Sequence, residues 1–375
     1  MSSSRVSRHG IDGRRPGRRA APGALRQGPE ADRDGDGAGP GAGADGPGPS
    51  RWRGRRRRGG EEPMVPRAEF GSYYGRPVIK APSWSAADIA GYFFLGGLAG
   101  AGSVLAAGAQ LTSRTRTATA LKVSSTAAIS LSAAALVHDL GRPERFANML
   151  RVFKPTSPMS VGSWLLSAYG PAAGAAALSA VTGRLPRAGA AATAAAGLLG
   201  PAVAAYTGVL AADTAVPAWH GAHRELPYLF TASATAAASG MALVLGPTAQ
   251  TGPARHAAVL AAGAERALTA AVERRLGMVA ETYRTGRAGT LMRCARLLTT
   301  GGAVAGAVLA GRSRPAAVLS GLALLAGSAC TRFGVFAAGL ASAEDPLYTV
   351  GPQRAALSAA GGTDRTSGDG AGRQE

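Results

Sequence analysis

The sequence predicts an all-α integral membrane protein of about eight transmembrane helices packed as two four-helix bundles. Three observations lead there. From about residue 88 onward, windows of about 18 to 25 residues recur almost free of charge, which is the length a bilayer core requires of a helix. These windows are built from Ala, Gly, Leu and Val, as in GGLAGAGSVLAAGA from Gly96 to Ala109, and small residues let helix backbones approach closely in lipid. Arg and Lys gather outside the windows, in the N-terminal tail and in short connections, where they help fix membrane orientation.

The eight segments follow in order. The first spans Asp88 to Leu111, the second Ala118 to Val137, the third Ser160 to Val181 and the fourth Ala188 to Ala212. The fifth runs from Pro227 to Leu245. The sixth, Ala254 to Ala271, is the weakest, because Glu265 and Arg266 interrupt it. The seventh, Leu297 to Leu309, is short, and the eighth covers Pro315 to Leu340. Seven spans plus one interfacial helix also satisfy this pattern.

These segments divide the chain into a transmembrane domain at 64–345 and two tails, 1–63 and 346–375. The first tail is rich in Gly, Pro and Arg, as in GDGAGPGAGADGPGPSRWRGRRRRGG, and has too little apolar surface to offset the entropy of ordering. It lacks the apolar core of a signal peptide. Met64 opens a stretch of ordinary composition, so translation from Met64, with an artificial extension upstream, is one expectation.

A formal net charge of +19 raises nucleic acid as a partner. The basic residues are spread over a tail and many loops without aromatic interleaving or a reading module, so the sequence predicts a lipid bilayer as partner and no nucleic acid. Cys294 and Cys330 are the only cysteines and no CxxC occurs, so the chain has no ligand set for an iron-sulfur cluster or a cysteine-based structural zinc. With both termini inside, the inside loops carry about eleven Arg and Lys against about eight outside, which places the termini in the cytoplasm and the protein in the cell (plasma) membrane.

If eight helices alternate, the start of the first, the end of the second, the start of the third, the end of the fourth and the start of the fifth share one membrane face. Most distinctive polar and aromatic residues fall there: Trp84, Asp88 and Tyr92; His138 and Asp139; Trp164 and Tyr169; Tyr206 and Asp213; Trp219, His220, His223, Arg224, Glu225 and Tyr228. Asp88 with Tyr92, and Tyr206 with Asp213, have the spacing of one helical face. Ionisable groups at membrane depth usually face the bundle interior or a watery cavity, so one polar pocket at one end is expected. An interfacial aromatic belt explains Trp84, Trp219 and Tyr228 equally well. Asp139 before Gly141 and Pro143 also reads as a helix exit. His138 beside Asp139 reads as an acid-base pair able to carry protons near neutral pH. Glu265 and Arg266 read first as charges neutralised inside the bundle and second as a proton relay.

The stretch HDLGRPERFANMLRVFKPTSPMSVGSW, preceded by YFFLGGLAGAGSVL and followed by ADTAVPAWHGAHRELPYLF, resembles the membrane subunits of the NrfD-type, polysulfide-reductase-like family. The closing TRFGVFAAGLASAEDPLYTVGPQR is similar to the C-terminal segment of actinobacterial-type members, and the resemblance covers about residues 64–354. It implies an eight-helix anchor that exchanges electrons with quinone or quinol of the menaquinone type. It further implies docking to a four-cluster ferredoxin-like iron-sulfur subunit beside a molybdopterin-containing catalytic subunit, with no haem in the anchor. The histidines agree, since they do not pair between helices as two axial haem ligands.

On this reading Tyr92, His138, Tyr169, Trp219 and His220 are candidate quinone-binding residues, and Asp88, Asp139, Asp213 and Glu265 are candidate proton-handling carboxylates. Arg142, Arg145, Arg151 and Lys154 would orient the loop or dock the partner. The entry to the first helix offers Asp88 and Tyr92 where some relatives place Asn and His. A proton- or ion-translocating bundle and a purely structural membrane anchor are the competing functions, although no internal repeat of the kind transporters carry is evident.

Overall fold

The structure is a computed structural model and describes residues 78–80, 82, 84–139, 148 and 150–354. All of these lie in one compact unit, Arg67–Glu375. The expected tail 1–63 lies outside the described residues.

Eight long helices carry the described residues, which contain no strand: α1 Ala86–Leu111, α2 Thr115–Asp139, α3 Pro158–Thr182, α4 Pro186–Ala212, α5 Leu226–Leu245, α6 Gly252–Leu276, α7 Gly286–Val308 and α8 Arg314–Glu344. Their starts are written in the sequence. The Ser85 hydroxyl accepts the Asp88 amide at 3.4 Å and caps α1, and the Ser313 hydroxyl accepts the Ala316 amide at 3.4 Å at the start of α8. Proline stands in the first turn of α3, α4, α5, α6 and α8, where its missing N–H has no intrahelical partner to lose. The end of α3 is set by Gly183, whose φ of 68° takes the chain into the left-handed region.

Six of these helices, α1 to α5 and α8, are long and apolar enough to cross a membrane. Helices α6 and α7 are long enough but carry too many charges: Arg255, Glu265, Arg266, Glu273, Arg274 and Arg275 on the first, and Arg287, Arg293 and Arg296 on the second. Hydropathy alone therefore starts the seventh segment at Leu297, whereas α7 begins eleven residues earlier at Gly286. The arginines hide the helix from an apolar window without breaking it, because Arg is itself a good helix former. Residues 347–354 are also helical, with the Leu347 amide donating to Asp345 Oδ1 at 2.9 Å, so the segment expected as a tail from 346 begins as helix.

The helices pack mainly along the chain. Among α1 to α4 each packs on the next in sequence or closes back, with α1 against both α2 and α4 and α3 between α2 and α4. Among α5 to α8 the same pattern recurs, with α8 against both α5 and α7 and α6 between α5 and α7. Helices α1 and α4 face α5, and α1 also reaches α8.

Two glycine pairs set the closest approaches. A Cβ on Gly100 of α1 or Gly200 of α4 would collide with the carbonyl oxygen of the other glycine. Gly240 of α5 and Gly321 of α8 stand in the same reciprocal relation. Both contacts are backbone against backbone, so no side-chain rotation relieves a substitution there.

The largest buried cluster lies at one end of the molecule. It gathers Ile89, Tyr92 and Phe93 of α1, Ala211 and Ala212 of α4, Trp219 from the connection after α4, Leu229 and Phe230 of α5, Val272 and Leu276 of α6, Met292 of α7 and Phe336 of α8. Ala135 and Leu136, near the end of α2, pack on its edge. These ends meet as alternation along the chain requires.

Candidate functional site

Asp88 occupies the first turn of α1 and His138 the last turn of α2. The two meet across the helix pair, His138 Nδ1 to Asp88 Oδ2 at 3.3 Å. The Asp88 side chain is 23% exposed and that of His138 80%, so one partner is sheltered and the other reaches solvent. This geometry lets a proton pass between water and a carboxylate at the edge of the core.

The pairing differs from the one the sequence suggests. Asp139 follows His138, and successive residues on a helix point about 100° apart, so adjacency in sequence does not bring the two side chains together. Asp88, fifty positions earlier, is the residue that meets the histidine.

The same buried cluster that holds Ile89 and Tyr92 of α1 contains an aromatic stack. Trp84 stacks on Trp219 with ring centroids 5.8 Å apart and planes 14° apart, and Trp219 packs against Phe336 at 5.6 Å. Trp219 is fully buried, and its indole N–H donates to the Val335 carbonyl at 2.8 Å. The connection that presents it is pinned by the Ala218 amide on Ser342 Oγ and by the Tyr283 hydroxyl on the Ala218 carbonyl, both at 3.2 Å. Burial pushes the Tyr283 phenol well above its usual range, which keeps it a donor at all ordinary pH. As placed, Trp219 has no free donor for a ligand and acts as the buried anchor of this end. Replacing it with Ala is expected to cost about 3–5 kcal/mol of stability, measured as a lower midpoint in a thermal melt of the detergent-solubilised chain.

The other sequence-selected residues fall in three groups. Tyr92 is buried in the same cluster, next to Phe93, which leads on to Phe230. His220 donates from Nδ1 to the Ala212 carbonyl at 3.2 Å and stacks on His223 at 5.8 Å, which leaves its Nε2 uncommitted to that bond. Asp139 is half-buried at the last residue of α2. Asp213 is exposed just past the end of α4, in a non-helical conformation, so the face it was expected to share with Tyr206 ends before it. Tyr206 itself donates to the Pro158 carbonyl at 2.8 Å and joins α4 to the start of α3.

Tyr169 and Glu265 lie away from that end. Tyr169 is eleven residues into α3, about 16 Å along its axis. Its hydroxyl donates to the Ala99 carbonyl at 2.6 Å and accepts from Ser103 at 2.7 Å, tying α3 to α1 in the interior. Glu265 is buried in α6 and accepts the Thr331 hydroxyl of α8 on Oε1. In the basic loop Arg151 and Lys154 are exposed, whereas Arg142 and Arg145 lie outside the described residues.

Two buried cations, Lys122 of α2 and Arg332 of α8, were not singled out from the sequence. Arg332 of α8 is fully buried, its Nη2 donates to the Phe230 carbonyl, and its guanidinium lies 3.9 Å from the centroid of the Phe230 ring. The signal was available, because Arg332 is the only charged residue between Pro315 and Leu340. Among the described residues no group of three or more His, Cys, Asp or Glu gathers within reach of one metal ion.

Fold and site together define a multi-span α-helical membrane protein in which Asp88 and His138 meet at one end. Residues 80–260, a stretch that contains Asp88, His138 and Trp219, match the family model described as Polysulphide reductase, NrfD. No curated protein matches the chain significantly.

Proposed function

We propose that this chain is the membrane anchor subunit of a multi-subunit oxidoreductase, exchanging electrons between a membrane quinone or quinol and an iron-sulfur partner. The observation that carries the reading is the Asp88–His138 pair, which lies in the matched stretch at the edge of the buried end and offers a proton acceptor open to water. Quinol oxidation releases two protons with two electrons, and a histidine backed by a carboxylate is the kind of acid-base pair that takes them up.

In this reading α6 and α7 also cross the membrane, giving eight spans in two groups of four. Their charges are then accommodated inside the bundle or against a partner, as ionisable groups in membranes usually are. The exposed Arg151 and Lys154 dock the iron-sulfur subunit, beside a molybdopterin-containing subunit. The chain itself handles no haem and no cluster.

Affinity purification of the tagged chain from its native membrane tests the assembly. The expected product is a stable complex whose soluble subunits show iron-sulfur signals in electron paramagnetic resonance. Recovery of the chain alone, from gently solubilised membranes that retain such subunits elsewhere, contradicts it.

A further inference from the structure

Outside the matched stretch, α6, α7 and α8 enclose a cavity of about 370 Å³. Apolar side chains, Ala262, Ala295 and Met292 among them, form part of its wall. The polar part is unusual. Glu265 and Thr299 line the cavity at 6% and 3% exposure, and Glu265 Oε2 and Thr299 Oγ1 have no hydrogen-bond partner among the described residues. Buried polar atoms are rarely left unpaired, and several around one cavity point to a missing ligand.

At the mouth stand Arg266 and Arg296, which line the same cavity, are exposed, and make no hydrogen bond or ion pair among the described residues. Arg266 is the fifteenth residue of α6 and Arg296 the eleventh of α7, so both stand near the middle of their helices. A cation at that depth is costly against lipid tails and is normally paired or directed into a polar cavity. The site thus offers acceptors at its buried floor, guanidinium donors at its mouth and an apolar wall between them, in a volume within the range of small-molecule sites.

We infer that this cavity is a second binding site for a lipid-soluble hydroxyaromatic of the quinol type, separate from the Asp88–His138 end. A ring hydroxyl donates to Glu265 or Thr299, an oxygen on the opposite edge accepts from Arg266 or Arg296, and the ring lies on the alanine and methionine wall. The quinol class rests on the function proposed above; the site rests on the unpaired groups around the cavity.

The test uses the full chain in lipid nanodiscs and a naphthoquinol probe carrying a photoreactive group, with cross-linked peptides mapped by mass spectrometry. Labelling is expected within 262–300 as well as near α1 and α2. Glu265→Gln is expected to weaken binding at the 262–300 site about tenfold, the weakening of one hydrogen bond, and Ala295→Leu to remove that labelling by filling the cavity. Glu265→Gln keeps the side-chain volume and carries the test by itself if Ala295→Leu does not fold. Labelling confined to the α1–α2 end, unchanged in both variants, overturns the second site and leaves the proposed function standing. No labelling anywhere, with no quinol oxidation by the purified complex, overturns both.

Discussion

Gly100→Val is expected to abolish the folded bundle. A Cβ at this position meets the Gly200 carbonyl oxygen and, at 2.9 Å, the Ala204 amide nitrogen, both of them α4 backbone. The helices must separate to admit even one methyl group, and valine brings three carbons. Overpacking a core typically costs 1–3 kcal/mol, and here no side chain can rotate away, so the loss is placed at about 3 kcal/mol or more. Gly240→Val should behave alike, because the Gly321 carbonyl oxygen would stand 2.6 Å from the added Cβ. Gly174, with nothing near its missing Cβ, is the control, and Gly174→Ala should be neutral or slightly stabilising. The yield of monodisperse protein and the midpoint of its thermal melt report all three. A wild-type melt for Gly100→Val would show that the small residues of α1 and α4 are a matter of composition and not of packing.

His138→Ala is the second large effect. With the side chain 80% exposed, its removal leaves no cavity and should not move the melting midpoint appreciably. If His138 moves protons for quinol oxidation, the loss of an acid-base group lowers turnover by about 10²-fold or more. Asp88→Asn should lower it less, since the histidine remains while its charged partner is lost. Stability without turnover separates a proton-handling role from a packing role, whereas Trp219→Ala should lose both together.

Much of this was legible in the sequence, and the exceptions have physical causes. All eight long helices show as apolar segments: α1 to α5 and α8 because lipid and helix–helix contact reward the same residues, α6 with Glu265 and Arg266 interrupting it, and α7 over its second half alone. The first half of α7 was hidden by Arg287, Arg293 and Arg296, which hydropathy counts against a span although they favour a helix. Alternation was enough to predict which helix ends meet, and the cluster joining Tyr92, Trp219, Leu276 and Phe336 lies where it requires.

The site was legible in its members more than in its pairings. Asp88 and His138 were both selected, yet neighbours in sequence suggested His138 with Asp139, and only the packing of α1 on α2 brings in Asp88. Trp219 carried the polar handle expected of a binding residue, but that handle is taken by a carbonyl of α8, which no local pattern reveals. Tyr169 likewise spends its hydroxyl within the bundle, on α1. The cavity beside Glu265 depends on three helices at once, and Arg332 stands out only when the absence of other charges in α8 is taken as a signal.

Rapid mixing of the purified complex with a menaquinol analogue, following bleaching of the iron-sulfur absorbance, tests the central claim most directly. Clusters in the wild-type complex should be reduced by quinol, and His138→Ala should slow this about 10²-fold or more while binding the soluble subunits normally. Clusters that stay oxidised in the wild-type complex, although dithionite reduces them, would contradict it.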